Sequence, residues 1–173
     1  SGAPMGRSLH EADQVEMGEA IRNAARASGC TLHLPTDVVT ATEFRDMAET
    51  RIVPASACPP DALILDAGPE TLARLKALLG TCRTILWNGP LGAFEIPPFD
   101  RATTGLAREA AALTREGRAV TVAGGGDTVA ALNAAGVADV FTYVSTAGGA
   151  FLEWLEGKTL PGIAALAQTQ TAA

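Results

Sequence analysis

The sequence predicts an α/β protein with a three-layer, doubly wound (Rossmann-like) parallel sheet, and two observations support this class. From Ala62 onward, apolar stretches rich in β-branched residues alternate with stretches of helical periodicity. Glycine-bearing loops follow several of these apolar stretches. Such alternation is typical of parallel sheets, because parallel strands are joined by long crossover connections that are usually helices. Ligands of such sheets bind beyond the carboxyl ends of the strands.

The first part of the chain predicts one helix and short strands. A helix is expected from Glu11 to Ser28, where Met17 and Ile21 fall on one face and Gly29 marks the end. CTLHLP and DVVTAT are predicted as short β-rich runs broken at Pro35. The following segment, FRDMAETRIVPASACPPD, is predicted as an irregular connection because it carries several prolines.

Four further strands are predicted, each followed by a helix. ALILDAG precedes a helix from Pro69 to Leu79, TILWNGP precedes one through Leu106, Ala110 and Leu113, AVTVAGGG precedes one through Val129 and Leu132, and VFTYVS precedes one opening at GGAFLEWLEG. At 173 residues, we expect a single domain over residues 1–173. It would comprise an initial loop at 1–10, an α/β body at 11–160 and a tail at 161–173.

Composition and charge disfavour several classes of protein. Hydrophobic residues make up 47% of the chain, enough for a core, and the net charge of −6 disfavours nucleic acid and anionic membranes as partners. We expect no membrane span and no export signal. Cys30, Cys58 and Cys82 form no CxxC pair, and His10 and His33 have no partner at ligand spacing, so neither a disulfide framework nor a zinc site is expected. A cytoplasmic location fits this pattern best.

Glycine-bearing loops at predicted strand-to-helix junctions are the candidate ligand sites. They are residues 66–69, 88–95, 124–128 and 145–149. Backbone N–H groups at a helix N-terminus bind anions, and glycine lets a phosphate approach the main chain closely. Four such loops favour a phosphate-binding site. The alternative for Gly124 to Gly126 is a simple turn in which Asp127 or Thr128 caps the following helix.

Three further side chains have a structural and a functional interpretation. Asp127 beside a phosphate would repel it unless a cation intervened, which predicts a Mg²⁺ ligand. Glu95 is either a ribose ligand or a solvated loop acid. Trp87, on an apolar strand, is predicted to lie in the core rather than to stack on a ligand.

Several segments together resemble the C-terminal, nucleotide-binding half of the phosphoglycerate kinase family. They are GRSL, LPTDVV, ILWNGPLGAFE, VAGGGDTVAAL and STAGGAFLEWLEGKTLPGIAAL, and their order and spacing match across nearly the whole chain. The resemblance implies a glycolytic enzyme that moves a phosphoryl group between 1,3-bisphosphoglycerate and ADP, giving 3-phosphoglycerate and ATP with Mg²⁺.

The resemblance also implies roles for particular residues. Phosphates would be held by Gly125, Gly126, Asp127 and Thr128, the metal by Asp127, the ribose by Glu95, the triphosphate and ribose side by Asn88 and Pro90, the adenine by Leu65, Gly68 and Ala93, and the transferred phosphoryl group would face Gly148 and Gly149. Two positions depart from the family pattern. Ala147 stands where glycine is usual, and Ala93 stands where valine is usual.

The resemblance further implies that the family's phosphoglycerate-binding domain, with its catalytic arginine, lies outside this sequence, as does the first part of the nucleotide domain. We therefore expect the chain alone to lack kinase activity, to bind ADP or ATP weakly if at all, and to meet phosphoglycerate only together with that domain. An exposed sheet edge would favour self-association.

Two other functions remain open at this point. A non-catalytic nucleotide-binding or interaction module could keep the same fold without the chemistry. A dinucleotide oxidoreductase is disfavoured, because no GxGxxG follows an early strand with an acid about 20 residues further on.

Overall fold

A computed structural model describes residues 2–145, 148–162 and 164–165. The chain divides into two compact units, the first formed by Ser1–Leu75 and Leu91–Ala102, the second by Lys76–Pro90 and Thr103–Ala173. The elements in chain order are a 3₁₀ turn Ala12–Gln14, α1 Val15–Ser28, β1 Asp37–Ala41, β2 Arg51–Pro54, β3 Leu63–Ala67, α2 Pro69–Leu79, β4 Thr84–Asn88, α3 Arg101–Arg115, β5 Val120–Gly124, α4 Gly126–Ala134, a 3₁₀ turn Ala138–Val140, β6 Tyr143–Ser145 and α5 Gly148–Leu155.

The first helix ends where the sequence predicts. Gly29 adopts a left-handed conformation with φ +70°, and its N–H donates to the last carbonyls of α1. Glycine takes this conformation without the penalty that other residues incur, so it stops the helix. The apolar side chains predicted to share a face, Met17 and Ile21, are more than half exposed within the described chain.

The sheet of the first unit differs from the prediction. Strands β1, β2 and β3 form an antiparallel sheet in the order β2-β1-β3, so the predicted strand ALILDAG pairs with β1 rather than with the parallel strands. CTLHLP forms no strand, whereas Arg51–Pro54, inside the predicted irregular connection, forms β2. Residues 30–35 are exposed and pair with none of the strands β1 to β6, and a β-rich segment needs such a partner to become a strand. Pro54 is tolerated because it ends a strand at the sheet edge.

The second unit contains the predicted parallel sheet. Its order is β4-β5-β6, with Trp87 opposite Ala123 and Gly124 opposite both Asn88 and Ser145. Helices α4 and α5 contact β5. Parallel strands that alternate with helices confirm the predicted α/β class.

The two faces of the parallel sheet differ in burial. Ile85 and Trp87 are buried on one face, and the Trp87 ring packs edge-on against Phe141 with ring centroids 6.4 Å apart. The prediction of a core position for Trp87 is therefore confirmed. On the other face the register aligns Leu86, Val122 and Tyr143, and Leu86 and Tyr143 are 48% and 58% exposed. Full burial of both faces, as expected for strands of a doubly wound sheet, is therefore not found in β4.

Candidate functional site

The carboxyl ends of the three parallel strands bring predicted phosphate-binding residues together. β4 ends at Asn88, β5 at Gly124 and β6 at Ser145, and these residues are register neighbours. The backbone N–H of Gly89 donates to Thr128 Oγ1 at 2.7 Å, which ties the loop after β4 to the first turn of α4. Thus residues 88–89 and 124–128 lie at one edge of the sheet.

The consecutive glycines at the β5–α4 junction have different reasons to be glycine. Gly125 has φ +99°, a conformation that other residues rarely adopt, and it is the N-cap residue of α4. A side chain at Gly126 would meet nothing within 4 Å, and its φ is not in the left-handed region. Gly125 is thus required by the turn, whereas nothing in the described chain requires Gly126.

The start of α5 packs tightly on this turn. A Cβ at Gly148 would lie 2.6 Å from Gly125 Cα and 2.8 Å from its backbone nitrogen, so only glycine fits. A Cβ at Gly149, by contrast, would meet nothing within 4 Å. The same contrast therefore recurs in the second loop: one glycine serves packing and its neighbour faces open space. Thr146 and Ala147 lie outside the described residues, and so does the predicted effect of Ala147.

The polar side chains at this edge differ in burial. Asp127, in the first turn of α4, is exposed, as is Asn88 at the end of β4. Thr128 is buried, and its hydroxyl oxygen already accepts the Gly89 N–H. The alternative that Asp127 or Thr128 is the N-cap residue is wrong, since Gly125 occupies that position and has no side chain to bond the first-turn amides.

The predicted adenine and ribose residues belong to the first unit. The Ala93 N–H donates to the Leu65 carbonyl at 2.8 Å, so these two residues are neighbours. They pack with Phe99, which is fully buried, in the core of that unit. Gly68 follows β3, and Glu95 is exposed in the loop after Ala93.

Two buried carboxylates occupy helix N-termini in the first unit. The sequence pattern predicted no role for Asp37 and included Asp66 only as a member of the candidate loop 66–69. Asp37 in β1 accepts hydrogen bonds from the backbone N–H groups of Glu70 and Thr71, at 3.0 and 2.7 Å, and from the Thr71 hydroxyl. These are first-turn amides of α2, and Gly68 lacks a side chain where the Asp37 carboxylate lies. The loop at 66–69, predicted as a phosphate site, is thus capped by the protein's own anion.

Asp66 caps α3 in the same way. Its carboxylate accepts the N–H groups of Ala67 and Ala102, each at 2.9 Å, and a side chain at Gly92 would collide with it. The sequence signal for both carboxylates is an acid within an apolar β-rich stretch, a position where burial demands hydrogen-bond donors.

The fold shifts the pKa values of the two carboxylates in opposite directions. Burial works to raise the pKa of Asp37, but hydrogen bonds from Thr71 and Glu70 outweigh it and lower the pKa. Burial raises the pKa of Asp66 to about 6, because the hydrogen bonds from Ala102 and Ala67 only partly offset the loss of solvation and Asp100 adds repulsion. Asp37 therefore stays ionised to a lower pH than a free aspartate, whereas Asp66 takes up its proton already near pH 6.

Metal-ligating groups of three or more His, Cys, Asp or Glu side chains do not occur within residues 2–145, 148–162 and 164–165. Asp127 is an exposed acid at the carboxyl ends of the parallel strands. One carboxylate suits Mg²⁺, which usually keeps several waters and completes its ligands with nucleotide phosphates. A dedicated protein cage is not needed for that mode of binding.

The model of the family described as phosphoglycerate kinase matches residues 1–158 of this chain. The chain belongs to the phosphoglycerate kinase family. Phosphoglycerate kinases of Dinoroseobacter shibae and Sphingopyxis alaskensis are 60% and 61% identical to it over 165 residues. These alignments cover 95% of this chain and 42% of each relative.

A solved phosphoglycerate kinase structure, from Coxiella burnetii, has the same fold. It superimposes with a TM-score of 0.86 at 40% identity and covers 94% of this chain and 41% of that one. The chain thus spans less than half the length of the relatives it matches. Within its described residues, no helix combines the length and the apolar character needed to cross a membrane.

Proposed function

We propose that this chain supplies the nucleotide-binding half of a phosphoglycerate kinase. The whole enzyme would move a phosphoryl group between 1,3-bisphosphoglycerate and ADP, giving 3-phosphoglycerate and ATP in the cytoplasm as a step of glycolysis. The observation that carries the proposal is the meeting of residues 88–89, 124–128 and Gly148 at the strand ends of the parallel sheet. Gly126 and Gly149 strengthen it, because packing explains neither glycine and a ligand that approaches the main chain would.

Each proposed contact draws on a stated property of its residue. The N-terminus of α4 has amides without a side-chain cap and the positive end of the helix dipole, which suits phosphate. We assign the phosphates to Gly125, Gly126, Asp127 and Thr128, the triphosphate and ribose side to Asn88 and Pro90, the ribose to Glu95, the adenine to Leu65, Gly68 and Ala93, and the side facing the transferred group to Gly148 and Gly149.

Asp127 would hold Mg²⁺ together with the nucleotide phosphates. The ion, when bound, would neutralise phosphate charge during transfer. Asp127 is exposed at the start of α4, where its carboxylate can reach a solvated ion. Thr128, whose hydroxyl oxygen is bonded to Gly89, would act by holding the β4 loop against α4.

The chain alone is proposed to be inactive. Phosphoryl transfer depends on positioning and on positive groups that stabilise the transferring phosphoryl group. The proposed site residues include amides and acids but no arginine or lysine. Incubation of the purified chain with 1,3-bisphosphoglycerate and MgADP should therefore yield no ATP above the uncatalysed rate. Catalytic formation of ATP would contradict this part of the proposal.

Calorimetric titration with MgADP tests the nucleotide site. We expect weak binding by the unmodified chain and a further loss in Asp127→Ala. Asp139→Ala, which removes an exposed acid elsewhere in the second unit, is the matched control and should bind as the unmodified chain does. Equal binding by Asp127→Ala and the control would remove the metal role of Asp127, and a complete lack of binding by all three would contradict a nucleotide site on this chain.

Self-association is also proposed. β4 lies at an edge of the parallel sheet in the described chain, and it carries exposed Leu86 beside Val122. Free strand edges and exposed apolar rows favour contact between copies.

A further inference from the structure

A polar cleft lies at the amino ends of β4 and β5, at the edge of the parallel sheet opposite the proposed nucleotide loops. Gly80, Thr81, Cys82, Arg83 and Arg118 line it, and its volume is about 270 Å³. One water needs roughly 10–15 Å³ by a comparable measure, so the cleft has room for a small ligand. The five-residue strands separate it from the nucleotide loops by roughly 16 Å.

The chain brings the two arginines together through the sheet register. Arg83 immediately precedes β4, and Arg118 lies two residues before β5. The N–H of Val120 donates to the Arg83 carbonyl at 2.9 Å, which fixes the two strand starts side by side. Arg118 is held across the turn that follows α2, because its Nη2 donates to the Gly80 carbonyl at 3.1 Å.

The hydrogen-bond donors that the cleft can offer a ligand come mainly from its two arginine side chains. The turn amides of Thr81 and Cys82 donate to carbonyls of α2, and the Thr81 hydroxyl donates to the Leu78 carbonyl at 2.7 Å. A guanidinium has five N–H donors. Arg118 donates one of them to the Gly80 carbonyl and one to the Glu116 carboxylate, the latter with Nη1 and Oε2 3.0 Å apart. Donors of both arginines remain for a ligand.

The charge balance favours an anion. The lining side chains include two cations and no acid, and Glu116, which pairs with Arg118, lies outside the lining and is more than half exposed. An exposed ion pair of this kind is worth little, so it competes weakly with a ligand. Two arginines that line one cleft repel each other, an anion bound between them offsets that repulsion, and their forked N–H groups match phosphate oxygens.

We propose that this cleft binds a phosphate group, free or at the end of a phosphate ester, between Arg83 and Arg118. The site is separate from the proposed nucleotide loops and does not depend on them. Cys82, half-buried in the lining, would be covered by the bound anion.

Titration of the chain with inorganic phosphate, against sodium chloride at equal ionic strength, tests the proposal. We expect phosphate to raise the melting temperature and to bind in calorimetry. Arg83→Gln and Arg118→Gln should each weaken this binding about tenfold, the loss expected for one charge-assisted interaction. Arg108→Gln, which removes an exposed charge from α3 and leaves the cleft intact, is the matched control and should bind phosphate normally.

A second readout locates the bound anion. Phosphate should slow alkylation of Cys82 by iodoacetamide, measured on its peptide by mass spectrometry, while alkylation of the exposed Cys30 continues unchanged. Phosphate bound only at the nucleotide loops would persist in both arginine variants and leave Cys82 unprotected. Either of those results would overturn the proposal. The MgADP titration tests the nucleotide site separately.

Discussion

At the scale of single residues, the first unit caps two helices with its own carboxylates, and at one of them, α2, a ligand anion was predicted. Asp37 and Asp66 come from neighbouring strands. Asp37 accepts two amides at the start of α2, and Asp66 accepts one at the start of α3. Gly68 and Gly92 leave the space that the carboxylates fill. These glycines therefore have a packing reason that is independent of any nucleotide.

Asp66 makes stability depend on pH between about 4 and 6. Its folded pKa is raised, so the folded state binds the proton more tightly than the unfolded state, and this contribution to the free energy of unfolding falls as pH rises through that window. The change is on the order of 3 kcal/mol. Urea unfolding at pH 4 to 7 should show the free energy of unfolding falling with pH in the unmodified chain. Most of this fall should be absent in Asp66→Asn. An exposed control, Asp46→Asn, should retain the fall, and retention in Asp66→Asn as well would contradict the assignment.

The contribution of Asp37 to the free energy of unfolding depends on pH in the opposite direction. Its pKa is lowered in the folded state, so its stabilisation is complete above the unfolded pKa and is lost as pH falls through the folded pKa. Asp37→Asn should lower the free energy of unfolding at pH 7 by about 2 kcal/mol, because charged hydrogen bonds to α2 are lost. Denaturation at pH 7 and below pH 3 checks this, since the difference should shrink in acid. A difference of the same size at both pH values would argue against a charge effect.

At the scale of elements, each of the β5–α4 and β6–α5 junctions contains one glycine that the fold requires and one that it does not. Gly125 provides the turn and Gly148 the close approach of α5. Gly126 and Gly149 have open space around them. Substitution of one glycine at a time can therefore measure effects on stability and on ligand binding separately.

Gly126→Ala should leave the free energy of unfolding unchanged or raise it by up to about 1 kcal/mol, because alanine fits the space and favours a helix. It should also weaken MgADP binding about tenfold by crowding the main chain at the phosphates. Gly148→Ala should instead lower the free energy of unfolding by roughly 1–3 kcal/mol, through a clash with Gly125. Denaturation and calorimetry on both variants check this, and unchanged MgADP binding by Gly126→Ala would place the phosphates elsewhere.

At the scale of the whole molecule, the proposed self-association would use an apolar row on the parallel sheet that is exposed within the described residues. Leu86, Val122 and Tyr143 form an apolar row by strand register, and the net charge of −6 opposes contact between copies only through long-range repulsion, which salt screens. The row is therefore the expected contact surface.

Leu86→Lys should reduce self-association, because a charge at this position costs free energy when buried between copies. Sedimentation velocity over a range of concentrations should show mass increasing for the unmodified chain and much less so for Leu86→Lys. Met17→Lys changes an exposed apolar residue of α1 and serves as the control. A monomer mass at all concentrations for the unmodified chain would refute the proposed contact.

The sequence by itself determined the features that depend on local pattern. It located the helices α1 to α5, the stop at Gly29, the parallel strands β4 to β6 and the family, because periodicity and turn residues act over a few positions. Only the tertiary structure decided the antiparallel pairing of β3 with β1, the existence of β2, and the capping by Asp37 and Asp66. Strand partners and the donors of a buried carboxylate come from distant parts of the chain, so no local pattern specifies them.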